Sequence, residues 1–446
     1  MTESVSVNQQ KQNSLKDFCV YFDNSRQNDL SENEVDKFVG LKYSENKLQI
    51  YFPVGYAHSD SADEKQIRKE ILNLISILSS FGEKCEMLKA SDLFSKSSDV
   101  LFPIHAYLFI ISDFLNHGYF MQKETVYKKS HSGKINWSRT IKQVRPQLVN
   151  ESIFYFDFIT QHTDYNQNEL ISQIHKYCVW ECFSKIGYLF SSFIPQKPAI
   201  KFNKILFNSV IKIQAAKTFN ENNLLLFKNM LDVINYLDSS NENKNFIYGT
   251  NNFHHIWEAL VDSVYGEKDK EKFYPKVYWK LKNQNLNQQK LFDFSNSKYN
   301  SLRPDTIMIT NRGKQNQKIF VLDSKYYRYG ATKNPNHLPD SSSVVKQIAY
   351  AQYIENTNNK IPKDVQKNLN PQKIYNAFIM PSDNPFPQNI GYSSADYVFS
   401  QSDTEPVSSY SKIHGILLDI KQLMFRHIPR DKEAIITLSI LIEQGC

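Results

Sequence analysis

Two carboxylates and a lysine carry the clearest chemistry in this sequence. Asp305 follows Arg303 and Pro304 and starts the run Thr306-Ile307-Met308-Ile309. Asp323 ends the apolar run Ile319-Phe320-Val321-Leu322, and Lys325 lies two residues beyond it. Side chains alternate along a strand, so Asp323 and Lys325 project from one face about 6.6 Å apart along the chain, with Ser324 on the other. Two hard oxygen donors at a strand edge suit Mg²⁺, which keeps several waters and binds substrate phosphate. A lysine beside them would orient or deprotonate a water and offset charge developing on phosphorus. The chemistry these residues predict is metal-dependent hydrolysis of a phosphodiester. A plain ion pair at a sheet edge would use the same side chains, so the surrounding elements decide.

The polar stretch NRGKQNQ, residues 311–317, separates the two runs, and together they read as a β-hairpin with a long loop. Both runs are apolar enough to be buried on both faces, which puts the two acids at strand ends. Upstream, FHHIWEALVDSVYG (253–266) spaces Phe253, Ile256, Trp257, Leu260, Val261 and Val264 as one helical stripe with Gly266 as its stop. Glu258 sits beside that stripe, where a carboxylate is costly without a partner. It is the third candidate metal ligand; pairing with His254 or Lys325 is the alternative. Downstream, Lys346 to Tyr350 opens a helix that brings Gln347 and Tyr350 one turn apart on one face.

Elsewhere, residues 1–45 are polar and read as a loosely held tail, and Leu48–Pro53 reads as a strand. Ser61 and Glu64 form a capping box before a helix through Ile67, Ile71, Leu74, Ile75 and Leu78. The apolar window 101–115 is a buried strand or helix. The stretch after it is basic, and its aromatic residues Tyr127 and Trp137 interleave with cations, so phosphate contact weighs as much as a merely solvated face. Lys134, Arg139, Lys142 and Arg145 are its candidate DNA-binding residues. Residues 168–237 are mainly helical, SSNENKN (239–245) marks the main boundary, and 356–372 reads as an exposed loop. The expected domains are therefore a tail at 1–45, an α+β domain at 46–165 for DNA recognition, a helical connector at 166–245 and a catalytic domain at 246–446.

The chain has 446 residues, 41% apolar and 22% charged, so it is an ordinary globular protein of two or three domains. Its 53 Lys+Arg against 46 Asp+Glu permit a polyanionic partner without demanding one. Five scattered cysteines suit a reducing compartment rather than a disulfide framework. Neither a signal peptide nor an apolar stretch of membrane length is present, so a cytoplasmic protein without a membrane role is expected. His175, Cys178 and Cys182 fall on successive helical turns but lack a second pair at zinc spacing, and they read as core. No G-x-x-x-x-G-K-[ST] loop occurs, so any nucleotide-driven motor would be a separate chain.

The order Pro-Asp, then Asp-x-Lys eighteen residues on, with a Glu-bearing helix before and a Gln/Tyr helix after, resembles the PD-(D/E)xK nuclease superfamily. FPVGY (52–56), EILNLISIL (70–78), GKINWSRTI (133–141), YGTNNFHHIWE (248–258), RPD (303–305) and VLDSKYY (321–327) resemble, in this order, the LlaJI-type restriction endonucleases, relatives of McrC. The resemblance covers about 48 to 353. It implies a mixed α/β chain whose C-terminal core is a central mixed sheet flanked by helices. It also implies metal ligation by Asp305 and Asp323, with Glu258 a weaker candidate, catalysis by Lys325, and support of the site by Gln347 and Tyr350. The function it implies is Mg²⁺-dependent type II restriction of double-stranded DNA, with a cognate methyltransferase encoded nearby and a homodimer on DNA. A McrC-like subunit working with a separate McrB-like AAA+ GTPase, a RecB-like repair exonuclease, an RNA-directed nuclease and an inactive nucleic-acid sensor are the rival readings.

Overall fold

The computed structural model describes residues 15–23, 38–59, 63–82, 87, 101–149, 152–166, 169–237, 245–274, 278–279, 292–293, 303–358, 373–395 and 409–445. A single turn, α1 (Leu15–Phe18), leads into β1 (Cys19–Asp23), β2 (Val39–Ser44) and β3 (Lys47–Phe52). Helices α2 (Glu64–Phe81) and α3 (Ile104–His117) follow. A β-rich stretch then holds β4 (Gln122–Lys129), β5 (Lys134–Ile135), β6 (Gln147–Val149), β7 (Ser152–Phe154) and β8 (Ile159–Asn166), interrupted by α4 (Trp137–Gln143). Helices α5 (Leu170–Ile186), α6 (Lys204–Lys217) and α7 (Glu221–Tyr236) lead to β9 (Phe246–Thr250) and α8 (Phe253–Tyr265). Two short strands, β10 (Tyr278–Trp279) and β11 (Phe292–Asp293), precede β12 (Thr306–Thr310) and β13 (Lys318–Ser324). The C-terminal elements are α9 (Tyr329–Thr332), α10 (Ser341–Asn358), β14 (Lys373–Ser382), β15 (Gln388–Ser393), β16 (Ile413–Asp419), α11 (Ile420–Phe425) and α12 (Lys432–Gln444).

These elements form two compact units, one of residues 1–18, 43–48 and 89–246, the other of 19–42, 49–88 and 247–446. The second unit is built on a five-stranded sheet in the order β12-β13-β14-β16-β15. β12 and β13 are an antiparallel hairpin, β13, β14 and β16 run parallel, and β15 returns antiparallel to β16. Helix α10 packs Tyr350, Ala351 and Ile354 against Ile307, Ile309, Ile319, Val321 and Ile374. The alternate residues Met308, Phe320 and Leu322 face the other side and are equally buried. Burial on both faces is why these strands read as unbroken apolar runs. Beyond the hairpin loop, Arg312 and Arg430 both pair with the buried carboxylate of Glu267, joining the β12–β13 turn to the segment before α12.

In the first unit, α3, α5, α6 and α7 bury Tyr107, Ile111, Ile174, Cys178, Phe183, Phe207, Met230 and Val233. A separate three-stranded sheet, in the order β4-β8-β5, carries α4, and β6 pairs with β7 as a two-stranded hairpin. Leu148 and Ile153 face each other across that hairpin at 77% and 65% exposure.

Several expectations are corrected. Over its described residues the segment 1–45 is no loose tail: β1 and β2 belong to a four-stranded sheet in the order β1-β3-β2-β9, with Val39, Leu41 and Tyr43 buried by alternation. Those runs are too short for the sequence pattern to stand out. The β2–β3 turn is set by Glu45 and Asn46, both at positive φ, as a two-residue hairpin of this hand requires. Residues 46–165 are not one domain, because 49–88 belong to the second unit and 89–165 to the first. The window 101–115 resolves as the helix α3. The cap of α2 is Asp63, whose side chain accepts the Gln66 N–H at 3.0 Å. Ser61, 359–372 and most of 239–245 lie outside the described residues.

What ties α2 into the second unit is a charge. Glu70, fully buried on α2, takes hydrogen bonds from the backbone and side chain of Ser59 and pairs with Lys421 Nζ at 2.7 Å. Lys421→Met would leave that carboxylate buried without its cation. We expect this to cost about 3 kcal/mol, the low end for a broken buried pair because Lys421 stays partly exposed. In chemical denaturation the double change Glu70→Leu/Lys421→Met should recover part of the loss. Strict additivity of the two single changes would refute the pairing.

Candidate active site

The hairpin register brings the two carboxylates together. Thr306 lies opposite Leu322 and Ile309 opposite Ile319, so one step outward from Thr306 the chain sets Asp305 opposite Asp323. Opposed residues of an antiparallel pair share a face with Cβ atoms about 5 Å apart. The Asp323 carboxyl is close enough to act on the pKa of Asp305. Asp305 is also gripped from two sides: the Ser324 N–H donates to its Oδ2 at 2.9 Å, and Lys270 Nζ donates to its backbone carbonyl.

Lys325 lies two residues beyond Asp323 on the same face, and its Nζ is 2.8 Å from Asp323 Oδ2. Asp323 is 5% and Lys325 17% exposed at the side chain, so this pair is largely withdrawn from water. Burial pushes the Asp305 carboxyl well above the usual carboxylate range, helped by the neighbouring Asp323 and Glu258 charges and only partly offset by the Ser324 N–H. Burial pulls the Lys325 ammonium down, but Asp323, with Tyr327 and Asp305, outweighs it and holds the pKa above the ordinary lysine value.

The backbone under these side chains is pinned. The carbonyl of Ile379, on β14, accepts both the Lys325 N–H at 2.8 Å and the Trp257 indole N–H at 3.3 Å. Tyr326, the next residue, is buried against Phe253, and its hydroxyl accepts the Val54 N–H at 2.7 Å. The segment FPVGY can approach because Gly55 adopts φ +76° where its backbone meets Ser382. Gly330 is constrained by space instead: a Cβ there would lie 2.0 Å from the Pro381 carbonyl. Gln347, buried on α10, donates its amide to the Val321 carbonyl at 2.7 Å, and the Tyr350 hydroxyl donates to the Arg303 carbonyl at 3.3 Å. One helix therefore holds the middle of β13 and the approach to Asp305.

Asp305, Asp323 and Lys325 line one pocket of about 350 Å³ together with His254, Glu258 and Lys346. Glu258 reaches this pocket but is engaged by His255, one turn back, at 3.6 Å. Among the described residues no three His, Cys, Asp or Glu side chains cluster closely enough to cage a metal ion. Glu258 shares the pocket wall with the two aspartates and lies near enough to raise the Asp305 pKa. Lys346 also lines this pocket, and its place just before Gln347 is the sequence signal that could have found it.

The remaining candidates lie in the first unit. Lys134, Arg139, Lys142 and Arg145 are all exposed, on β5, α4 and the segment after it. The Arg139 guanidinium stacks 3.9 Å over the Tyr127 ring, and Trp137 is 54% exposed. His175, Cys178 and Cys182 are fully buried in α5. His175 accepts the Phe120 N–H at 3.0 Å, and burial lowers its pKa to about 4. Among the described residues no helix is long and apolar enough to cross a membrane.

Fold and site define a mixed α/β protein with two opposed carboxylates and a lysine at the end of a partly parallel sheet. Residues 38–421 match the LlaJI restriction endonuclease family, and the chain belongs to that family. Among curated proteins it is similar to the Type II restriction enzyme BsuMI component YdjA of Bacillus subtilis (strain 168), with 24% identity over 295 residues. That alignment covers 63% of this chain and 58% of the relative, so the chain spans under two thirds of that protein's length. Among solved structures it is similar to a chain in a half-complex of Thermococcus gammatolerans McrB AAA+ hexamers with bound McrC. There the identity is 15% and the TM-score 0.34, covering 91% of this chain and 83% of that one.

The acid pair has a measurable consequence. Because the folded state raises the Asp305 pKa, it holds a proton that the unfolded chain releases earlier, so between the two pKa values stability falls as pH rises. Without divalent metal, Asp305→Asn should therefore melt above the wild type at pH 8, with the gap closing toward pH 4. Mg²⁺ in hundredfold excess over its Kd should raise the wild-type stability by about 2.7 kcal/mol and leave Asp305→Asn unmoved. Equal Mg²⁺ shifts in both proteins would exclude Asp305 as a ligand.

Proposed function

We propose that this chain is a Mg²⁺-dependent endodeoxyribonuclease that cuts double-stranded DNA as a type II restriction enzyme, beside a cognate methyltransferase that protects the host sites. One observation carries the reading: two water-poor carboxylates opposed across a hairpin, with a lysine 2.8 Å from one of them. Such carboxylates repel unless they share a proton or a cation, and a divalent ion relieves the repulsion better than a proton does. The residues fit a hard, oxygen-seeking ion: Asp305 and Asp323 would hold it, with the Ser324 carbonyl and water as further donors. Mg²⁺ bound there would supply Lewis-acid polarisation of the phosphate and a water of lowered pKa.

The chain's own groups do the rest. With its pKa held up, Lys325 stays an ammonium at neutral pH, so it orients the attacking water and neutralises the scissile phosphate rather than taking a proton. Gln347 and Tyr350 keep the strand ends fixed while charge builds on phosphorus. In-line attack by water would leave 5′-phosphate and 3′-hydroxyl ends. Lys134, Arg139, Lys142 and Arg145 are proposed to meet the duplex backbone, and cutting both strands favours two copies on one site. A second reading keeps the same chemistry but assembles the chain with a separate AAA+ GTPase. The bare apolar hairpin faces of Leu148, Ile153 and Phe154 favour a protein partner of that kind.

Closed circular plasmid incubated with the purified chain should be linearised with Mg²⁺ and untouched in EDTA; cutting only at free ends would make it an exonuclease. Lys325→Ala should abolish cleavage, by at least about a thousandfold, while duplex binding stays within tenfold. Neutralising Lys134 and Arg139 together should lower the salt slope of duplex binding by about two. An unchanged slope would remove the first unit from backbone contact.

A further inference from the structure

The active-site pocket holds a second lysine, and its situation is the opposite of Lys325. Lys346 Nζ lies 5.6 Å over the Tyr350 ring, and the side chain forms no ion pair among the described residues. It is exposed, yet it lines the same pocket as Asp305, Asp323 and Lys325. Lys325, by contrast, is largely withdrawn from water and its charge is matched by Asp323. An incoming phosphodiester therefore meets a pocket wall with Glu258, Asp305 and Asp323 on it and one lysine already neutralised. Long-range attraction for that anion falls to Lys346.

Its position is also fixed. The next residue, Gln347, is clamped to the Val321 carbonyl at 2.7 Å, two positions before Asp323 on β13. Any motion of the Lys346 backbone relative to the carboxylates would break that buried bond. A flexible stem on a fixed base, with a free ammonium over the pocket, suits a single monodentate contact to a non-bridging phosphate oxygen.

We infer that Lys346 is a substrate-binding residue that seats the DNA phosphate in this pocket, a role distinct from that of Lys325. The inference rests on the nuclease reading above. It acts on capture of the phosphate rather than on the chemical step, so the two lysines separate kinetically.

The test compares wild type, Lys346→Ala and Lys346→Arg on plasmid cleavage and on duplex binding in Ca²⁺. Lys346→Ala should lower kcat/KM about tenfold or more while kcat at saturating DNA stays within about threefold. Its salt slope for duplex binding should drop by about 0.9, one phosphate contact, and Lys346→Arg should restore both. Its Mg²⁺-induced thermal shift should match the wild type, which excludes a damaged fold or metal site. Wild-type kcat/KM and slope in Lys346→Ala, or a loss confined to kcat, would overturn the inference while leaving the nuclease intact. Inert wild-type protein that also fails to bind duplex would remove the nuclease reading and this role together.

Discussion

The structure of the second unit turns on one unfavourable contact, the approach of Asp305 to Asp323 in a place with little water. Two ionised carboxylates there would repel strongly, and the protein answers with an Asp305 pKa held above the usual range, an ammonium against Asp323 and a backbone N–H aimed at Asp305. Nothing in folding alone asks for this. A pair of aliphatic residues opposite each other at the end of the hairpin would bury better and repel nothing. Stored repulsion of this kind persists where the surrounding structure over-determines it, which is the mark of a site rather than of a core.

The surroundings do over-determine it. One carbonyl, that of Ile379, receives hydrogen bonds from the strand carrying Lys325 and from the helix carrying Glu258. Tyr326 joins the same strand end to the FPVGY segment, nearly three hundred residues earlier. Lys270 holds the backbone of Asp305, and α10 reaches both β13 and the residue two before Asp305. The carboxylates thus sit on elements fixed from four directions, so their separation is set by backbone and packing rather than by their own attraction or repulsion.

How much of this the sequence revealed depends on the range of the interaction. Asp305, Asp323 and Lys325 are within about twenty residues, and period-two alternation with an antiparallel turn predicts their convergence; so too the helical stripe of α8 and the Gln347/Tyr350 pair. The parallel pairing of β13 with β14 and the buttress from residues 52–56 join segments that carry no local mark of each other. The tail at 1–45 and the single domain at 46–165 fail for that reason: Val39 and Leu41 look like isolated apolar residues until a partner strand lies beside them. Apart from its neighbour Gln347, Lys346 carries no sequence mark of its place, because an exposed lysine near a helix start is usually just solvated and only the folded pocket sets it beside the carboxylates.

The second unit is interrupted in the chain, taking up 49–88, leaving it for the other unit and resuming at 247. On a ribosome adding 5–20 residues per second, the amphipathic helix α2 therefore emerges roughly ten to thirty seconds before α8, a helix it packs against. During that interval α2 waits for α8 and α11, while the intervening unit is already being made. Completion of the second unit is therefore coupled to the synthesis of residues that follow the first unit in the chain.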